Sequence, residues 1–341
     1  MNITVLIPHF KNYKVTAYSV SQFIKFKGNH EVEIIVIDNS FPDESIKGLE
    51  PFKNDITIIE NKSTRISSHG IAYDMALIDG HVKTDYFVTA ESDSFPENDR
   101  WIDYIEDLIN QGYEGGGSNL FLSGGLYTHP AGAFHKKSNY FEAKEYCDKI
   151  EYTYFPNLCK SEGFDAHLMV HNSVLDRFLD APDDYIEVSA GYKGKDKQYF
   201  LERADWYSPT RNPFHNGMGK NIESIRTYGQ RNFETEVPNV LLDNKRKLIK
   251  RIGFEPGQFF SYFNIAVGKK IAYIPTEVFW LKNREGQQQE KTVMQNGFTH
   301  IWAGSSFLDM EGTDYHDVYE FKKNQIHELY NSLPQNYKVQ L

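Results

Sequence analysis

Four short apolar runs constrain this chain more than any other feature of its sequence: "ITVLIP" at 3–8, "VEIIVID" at 32–38, "ITIIE" at 56–60 and "YFVTAE" at 86–91. They are rich in β-branched residues and nearly continuous in hydrophobicity, the pattern of strands covered on both faces. Between the third and fourth runs, Ile71, Met75, Ile78 and Val82 recur at helical spacing, with Ala72 and Ala76 beside them and Ser68 placed as an N-cap. Strand, helix, strand at this rhythm predicts an α/β fold with a mostly parallel sheet and right-handed crossovers.

At 341 residues the chain can bury a substantial core as one large domain or two modest ones. Lys plus Arg total 37 against 47 for Asp plus Glu, a formal charge of −10, which argues against wrapping nucleic acid or lying on anionic lipid. The one local basic run, Lys245, Arg246, Lys247, Lys250 and Arg251, reads as a solvated helix face. Cys147 and Cys159 lack metal-ligand spacing and read as free thiols of a reducing compartment, a single disulfide being the alternative. The N-terminus "MNITVLIPHF" has no basic start or long apolar region, and no stretch reaches membrane-spanning length. The expectation is a cytoplasmic protein without a transmembrane segment; the sequence leaves its oligomeric state open.

In a parallel α/β sheet, ligands bind outside the carboxyl ends of the strands. That rule selects Pro8, His9 and Phe10 after the first strand, Asp38 and Asn39 after the second, and Glu91, Ser92 and Asp93 after the fourth. A dinucleotide fold would need a glycine-rich turn after the first strand, and "PHFKNY" contains no glycine. Acids are also common in turns, so Glu91 and Asp93 could simply solvate a loop.

These strand ends together resemble the nucleotide-sugar half of a GT-A glycosyltransferase, particularly glycosyltransferase family 2. "VLIPHF" resembles the family's opening strand, and Asp38 in "IIVIDNS" matches the Asp that contacts the nucleotide base. "SSHGIAYDMAL", with His69, Gly70 and Asp74, resembles the start of the following helix, and Glu91-Ser92-Asp93 matches the DxD motif with Glu in place of the first Asp. The resemblance covers about the first 100 residues. It implies a Rossmann-like GT-A sheet and a donor site for a nucleotide sugar, UDP being the commonest nucleotide. It also implies a Mn²⁺ or Mg²⁺ ion held by Asp93, with Glu91 on the ribose or a metal-bound water, and transfer with inversion to a carbohydrate or glycoconjugate hydroxyl.

The remaining sequence supplies the acceptor side. An inverting transferase needs a general base. In the family that base lies downstream near a helix start, which implies Asp165 in "SEGFDAHLMV" first and Asp205 in "ERADWYS" second. The Trp206 ring could stack on a sugar face, and Trp302 is the second ring assigned to the acceptor. "GFTHIWAGSS" resembles a late segment of several GT-A enzymes whose His is a further metal ligand, which implies that His300 completes the site. "HPAGAFHKKS", 129–138, reads as another strand leading out of the site, its His129 and His135 as surface or packing residues, and "GYEGGGSNLFLSGG" as a hinge, plain turns or a close backbone approach to sugar. The expected organisation is a GT-A domain over 1–310, with 1–99 the nucleotide-sugar half and 100–310 the acceptor half, then a C-terminal amphipathic helix in 311–341. Two other classes fit parts of the pattern: a non-catalytic carbohydrate-binding or scaffold protein on a degenerate transferase fold, and a sugar nucleotidyltransferase.

Overall fold

The computed structural model describes residues 1–40, 43–61, 69–118, 129–154, 264, 269–282, 289–303, 308 and 310–339. The larger of its two sheets begins with the four anticipated strands: β1 (Asn2–His9), β2 (Glu31–Asp38), β3 (Ile56–Glu60) and β4 (Tyr86–Thr89). They lie side by side in the order β3-β2-β1-β4, all parallel. The sheet continues through β7 (Ala133–Lys136) and β6 (Gly115–Gly117) to β8 (Ile271–Tyr273). Of its seven strands only β7 runs against the rest. The mostly parallel α/β sheet flanked by helices is therefore the one the apolar runs predict.

Burial follows position in the sheet. Central β1 is buried from Thr4 to Pro8, whereas β3 forms the edge and leaves its residues partly or fully exposed. The expectation that all four strands are covered on both faces fails for β3. An edge strand lacks a second neighbour and a full layer above it, so its isoleucines tolerate solvent.

Helix α1 (Tyr13–Lys25) follows β1 and buries Val15, Ala17, Val20 and Phe23, while Lys25 in its last turn suits the negative end of the helix dipole. Helix α2 (His69–Ile78) precedes β4, and α3 (Arg100–Asn110) follows it, burying Trp101, Ile102 and Ile105. Helix α4 (Lys137–Tyr154) follows β7. The second sheet is antiparallel, with β5 (Ser94–Pro96), β11 (Phe298–His300), β10 (Gln289–Met294) and β9 (Thr276–Trp280) in that order. Helix α5 (His316–Asn331) packs on α1, with the rings of Tyr13 and Tyr330 edge to face at 5.7 Å.

An aromatic cluster locks the two sheets together. Phe23 of α1 lies 5.4 Å from Trp101 of α3 and 5.6 Å from Phe298 of β11, all three fully buried. Trp101 Nε1 donates to the Phe26 carbonyl at 2.7 Å, which satisfies the one polar atom this packing would strand. Ser19 of α1 donates to the Ser94 carbonyl of β5 at 2.8 Å. These contacts hold β11, late in the sequence, beside the segment that leaves β4.

Candidate active site

The site grows from the carboxyl end of β4. In register, Thr89 faces Leu6, and Ala90 still donates to the Leu6 carbonyl at 2.9 Å, so Glu91 emerges beside the end of β1. The regular strand ends at Thr89, two residues earlier than the apolar run implies. A tight turn follows. The Ser94 hydroxyl accepts from the Glu91 N–H at 2.8 Å and donates to the Glu91 carbonyl at 3.0 Å, and the Ser94 N–H reaches the same carbonyl at 3.0 Å. This turn points Asp93 inward, only 1 % exposed, and leaves Glu91 at its rim.

Strand β5 then pairs with β11, placing Ser94 opposite His300. That pairing carries the imidazole to the acids. His300 Nε2 lies 3.1 Å from Glu91 Oε2 and 3.3 Å from Asp93 Oδ1. One ligand atom from each of Glu91, Asp93 and His300 lies within 4.8 Å of the others, the group among the described residues that could hold a metal ion. Asp93 Oδ2 accepts from the Ala303 N–H at 2.5 Å, and the Asp93 carbonyl accepts from the Ile301 N–H at 3.1 Å. Asp93 Oδ1 is buried and makes no well-formed hydrogen bond, its charged neighbour being His300 Nε2 at 3.3 Å. Such an atom is costly inside a protein unless something charged meets it. Two carboxylates and one imidazole around it form a donor set suited to Mn²⁺, with Mg²⁺ less at home on nitrogen.

Electrostatics agree with a cation-seeking site. Burial alone would push the His300 pKa down, but the Asp93 and Glu91 carboxylates outweigh it and raise it to about 10. The imidazolium thus holds the place of a positive charge between the acids.

The structure adds a residue that sequence reading set aside. His129 Nε2 approaches Glu91 Oε1 at 3.8 Å, and its ring stacks 5.4 Å from His300 and 5.6 Å from Trp302. Its Nδ1 accepts from the Ala131 N–H at 3.2 Å, so in the neutral ring the proton sits on Nε2, toward Glu91. The Glu91 carboxylate therefore lies between two histidines. His129 packs against His300 and Trp302, as a packing residue would, but does so at the site: β7 runs antiparallel to β4, so the residues before β7 meet those after β4. His135, by contrast, is a packing residue, buried against Phe87, and its burial pushes the imidazole down to about 3.

Trp302 has a backbone φ of +53°, a left-handed conformation that costs a residue other than glycine about 1–3 kcal/mol. Its ring lies 4.1 Å from that of His300, and its Nε1 donates to Thr292 Oγ1 at 2.7 Å. The strained residue therefore packs directly on the His300 imidazole.

At the neighbouring strand ends, Asp38 is buried and its Oδ1 accepts from the Ser40 N–H at 2.8 Å. Burial raises its carboxyl pKa, and the hydrogen bonds from Ser40 oppose the rise. Asn39 donates through its backbone to the His9 carbonyl at 2.9 Å, and its side-chain oxygen accepts from Asn61 Nδ2 at 2.9 Å. Pro8 is buried in β1 and Ser92 is partly buried in the turn. The His9 ring is spent on the protein: its nitrogens meet Thr16 Oγ1 at 2.9 Å and Ser45 Oγ at 3.0 Å, and burial lowers its pKa to about 4. Asp74 is likewise buried within α2, accepting from the Tyr140 hydroxyl at 2.6 Å. His9 thus ties the end of β1 to α1 and Ser45, and Asp74 ties α2 to α4. His69 and Gly70 open α2. Asp165, Asp205 and Trp206 lie outside the described residues.

No protein-family model matches the chain, and no curated protein matches it. Among solved structures it is similar to the galactosyltransferase LgtC in complex with donor and acceptor sugar analogs, at 12 % identity and a TM-score of 0.33, over 42 % of this chain and 63 % of that one. It is similar to glucosyl-3-phosphoglycerate synthase from Mycobacterium tuberculosis in complex with Mn²⁺ and UDP, at 14 % identity and a TM-score of 0.29, over 35 % of this chain and 43 % of that one. A third similarity is to the 1-349 fragment of S. aureus TarS in complex with UDP-GlcNAc, at 11 % identity and a TM-score of 0.34, over 85 % and 99 %. The chain spans less than two thirds of the first two.

Proposed function

We propose that this chain is a GT-A glycosyltransferase that moves a sugar from a nucleoside diphosphate to an acceptor hydroxyl with the help of a divalent metal. One observation carries the reading: Glu91, Asp93 and His300 converge at the carboxyl edge of a mostly parallel sheet, around a buried Asp93 oxygen that makes no well-formed hydrogen bond. Asp38, at the same edge on β2, supports it as the group that would meet the nucleotide base.

Asp93 Oδ1, His300 Nε2 and Glu91 would hold Mn²⁺ or Mg²⁺. When bound, the ion would neutralise the charge that develops on the leaving diphosphate. The protein's part is to keep these donors in place: Ala303 fixes Asp93 through its backbone N–H, and the Ser94 turn fixes the path of Glu91. The Asp38 carboxylate would accept from the base or ribose, held by the Ser40 N–H. Asp165 is the first choice for the general base that takes the acceptor proton and Asp205 the second, with Trp206 and Trp302 beside the acceptor. The family resemblance supplies UDP as the first donor nucleotide and inversion as the outcome. No helix among the described residues is long and apolar enough to cross a membrane.

The test is UDP release from a panel of UDP-sugars, with and without Mn²⁺. The reading predicts slow release that needs Mn²⁺ and disappears in Asp93→Ala. Wild-type protein that releases no UDP and binds none of UDP, GDP and dTDP with Mn²⁺ would sink the transferase reading and favour a non-catalytic role.

A further inference from the structure

Lys322 is the charged side chain of α5 that points into the molecule. It is 1 % exposed, whereas its neighbour Lys323 pairs with Glu320 at the surface. Its Nζ donates to the Glu290 carbonyl at 2.5 Å and to the Ile301 carbonyl. Among the described residues no carboxylate lies within ion-pair distance of it; the ammonium rests on two backbone oxygens, 5.6 Å from the Phe321 ring centre, and meets the Asp93 and Glu290 charges only at longer range. Burial without a close carboxylate costs the ammonium its hydration, and the two carbonyls are what it holds in return.

The two carbonyls locate the task. Strands β10 and β11 pair through Thr292 with His300 and Val293 with Thr299, and their ladder ends there. Glu290 falls at the β-bulge of β10, between Gln289 and Lys291, and Ile301 is the first residue beyond β11. Lys322 therefore bridges the splayed end of the hairpin, next to His300.

The Ile301 carbonyl and the Trp302 nitrogen belong to one peptide plane. Holding that carbonyl toward Lys322 fixes the plane, and the same orientation leaves Trp302 at φ +53°. Without the ammonium the Ile301 carbonyl loses the partner that holds it there, and a flip of the plane would relax Trp302. The flip would also disturb the ring packed 4.1 Å from His300. Residue 301 is pinned from both sides, by Asp93 through its N–H and by Lys322 through its carbonyl.

We infer that Lys322 is a positioning residue: from the C-terminal helix it locks the Ile301–Trp302 peptide and so sets His300 for the metal. This inference rests on the metal-dependent reading of the site.

The test is a double-mutant cycle on Mn²⁺ affinity, measured calorimetrically with UDP present and well below each variant's melting midpoint. Lys322→Met removes charge and donors; Lys322→Gln removes the charge, is one atom too short to hold both carbonyls, and, being polar, guards against loss of folding. Each should weaken Mn²⁺ binding about 10- to 100-fold, as loss of a group supporting a metal ligand does. In a His300→Ala background the same substitutions should change Mn²⁺ affinity less than twofold, because no imidazole remains to be set. Unchanged affinity in either folded Lys322 variant, with only the melting midpoint lowered, would reduce Lys322 to a structural role and overturn the inference. Equal losses in both backgrounds would overturn it too. Wild-type protein that binds no Mn²⁺ would defeat the metal reading itself, a result distinct from either of these.

Discussion

Metal-free protein should be most stable near pH 6.5, and the reason is written in four buried bases. His9 and His135 are pushed down to about 4 and about 3 by burial. Unfolding lets them take up protons below pH 6.5, so stability rises as pH climbs toward that value. His300 works in the other direction. Despite its burial, the Asp93 and Glu91 charges raise it to about 10 against 6.5 in the unfolded chain. Its contribution is full below pH 6.5 and is lost as pH rises toward 10. Lys322, lowered to about 8 by burial against the pull of Asp93 and Glu290, adds the opposite slope above pH 8. Between pH 6.5 and 8 only His300 acts among these four, so stability should fall by about 2 kcal/mol, roughly 1.4 kcal/mol per pH unit. Above pH 8 the two slopes oppose each other. Urea unfolding in EDTA at half-unit steps from pH 5.5 to 8.5 reads this directly. Excess Mn²⁺ should flatten the falling limb, since the metal then displaces the His300 proton and binds more tightly as pH rises. His300→Asn should abolish the limb. Metal-free stability that stays level or climbs from pH 6.5 to 8, or a limb that survives in His300→Asn, would refute the placement of His300 between the two acids.

Three further outcomes follow from particular contacts. Glu91→Asp draws the carboxylate back from between His129 and His300, and Mn²⁺ affinity measured by calorimetry should drop about tenfold. Gly132→Ala should destabilise the fold by about 2–4 kcal/mol in urea unfolding, because a Cβ there meets Met294 Cε at 2.5 Å and Phe298 Cδ1 at 2.6 Å on a backbone at φ +91°. Tyr140→Phe removes a donor from buried Asp74 and should cost about 1–3 kcal/mol in the same assay, with no change in Mn²⁺ affinity.

The parallel strands were legible because a buried central strand needs a nearly continuous apolar run rich in β-branched residues, and β1 and β2 have one. Their order also made the carboxyl edge legible, and with it Asp38, Glu91 and Asp93. Strand β6 was not. It consists of Gly115, Gly116 and Gly117, which carry no strand propensity. Glycine is needed there because a Cβ on Gly116 would meet Phe134 Cε1 at 2.7 Å and Ala272 Cβ at 2.8 Å. Strand β5 was hidden for another reason: Ser94–Pro96 is too short to show a period, and only its pairing with β11 makes it a strand. His129 needed the direction of β7, which no local pattern reveals. Lys322 reads as one more exposed charge in "FKKN", and only the three-dimensional meeting of α5 with the β10–β11 hairpin turns it inward.

The central claim is that Glu91, Asp93 and His300 hold a divalent cation beside a nucleoside diphosphate. The most direct measurement is the melting midpoint with UDP, Mn²⁺, both or neither, in wild type and Asp93→Ala. A ligand at a hundredfold excess over its dissociation constant stabilises the native state by about 2.7 kcal/mol. The account predicts a clear rise in the wild type that needs UDP and Mn²⁺ together, and none in Asp93→Ala. The same rise in both proteins, or none in a wild type tested also with GDP and dTDP, would contradict it.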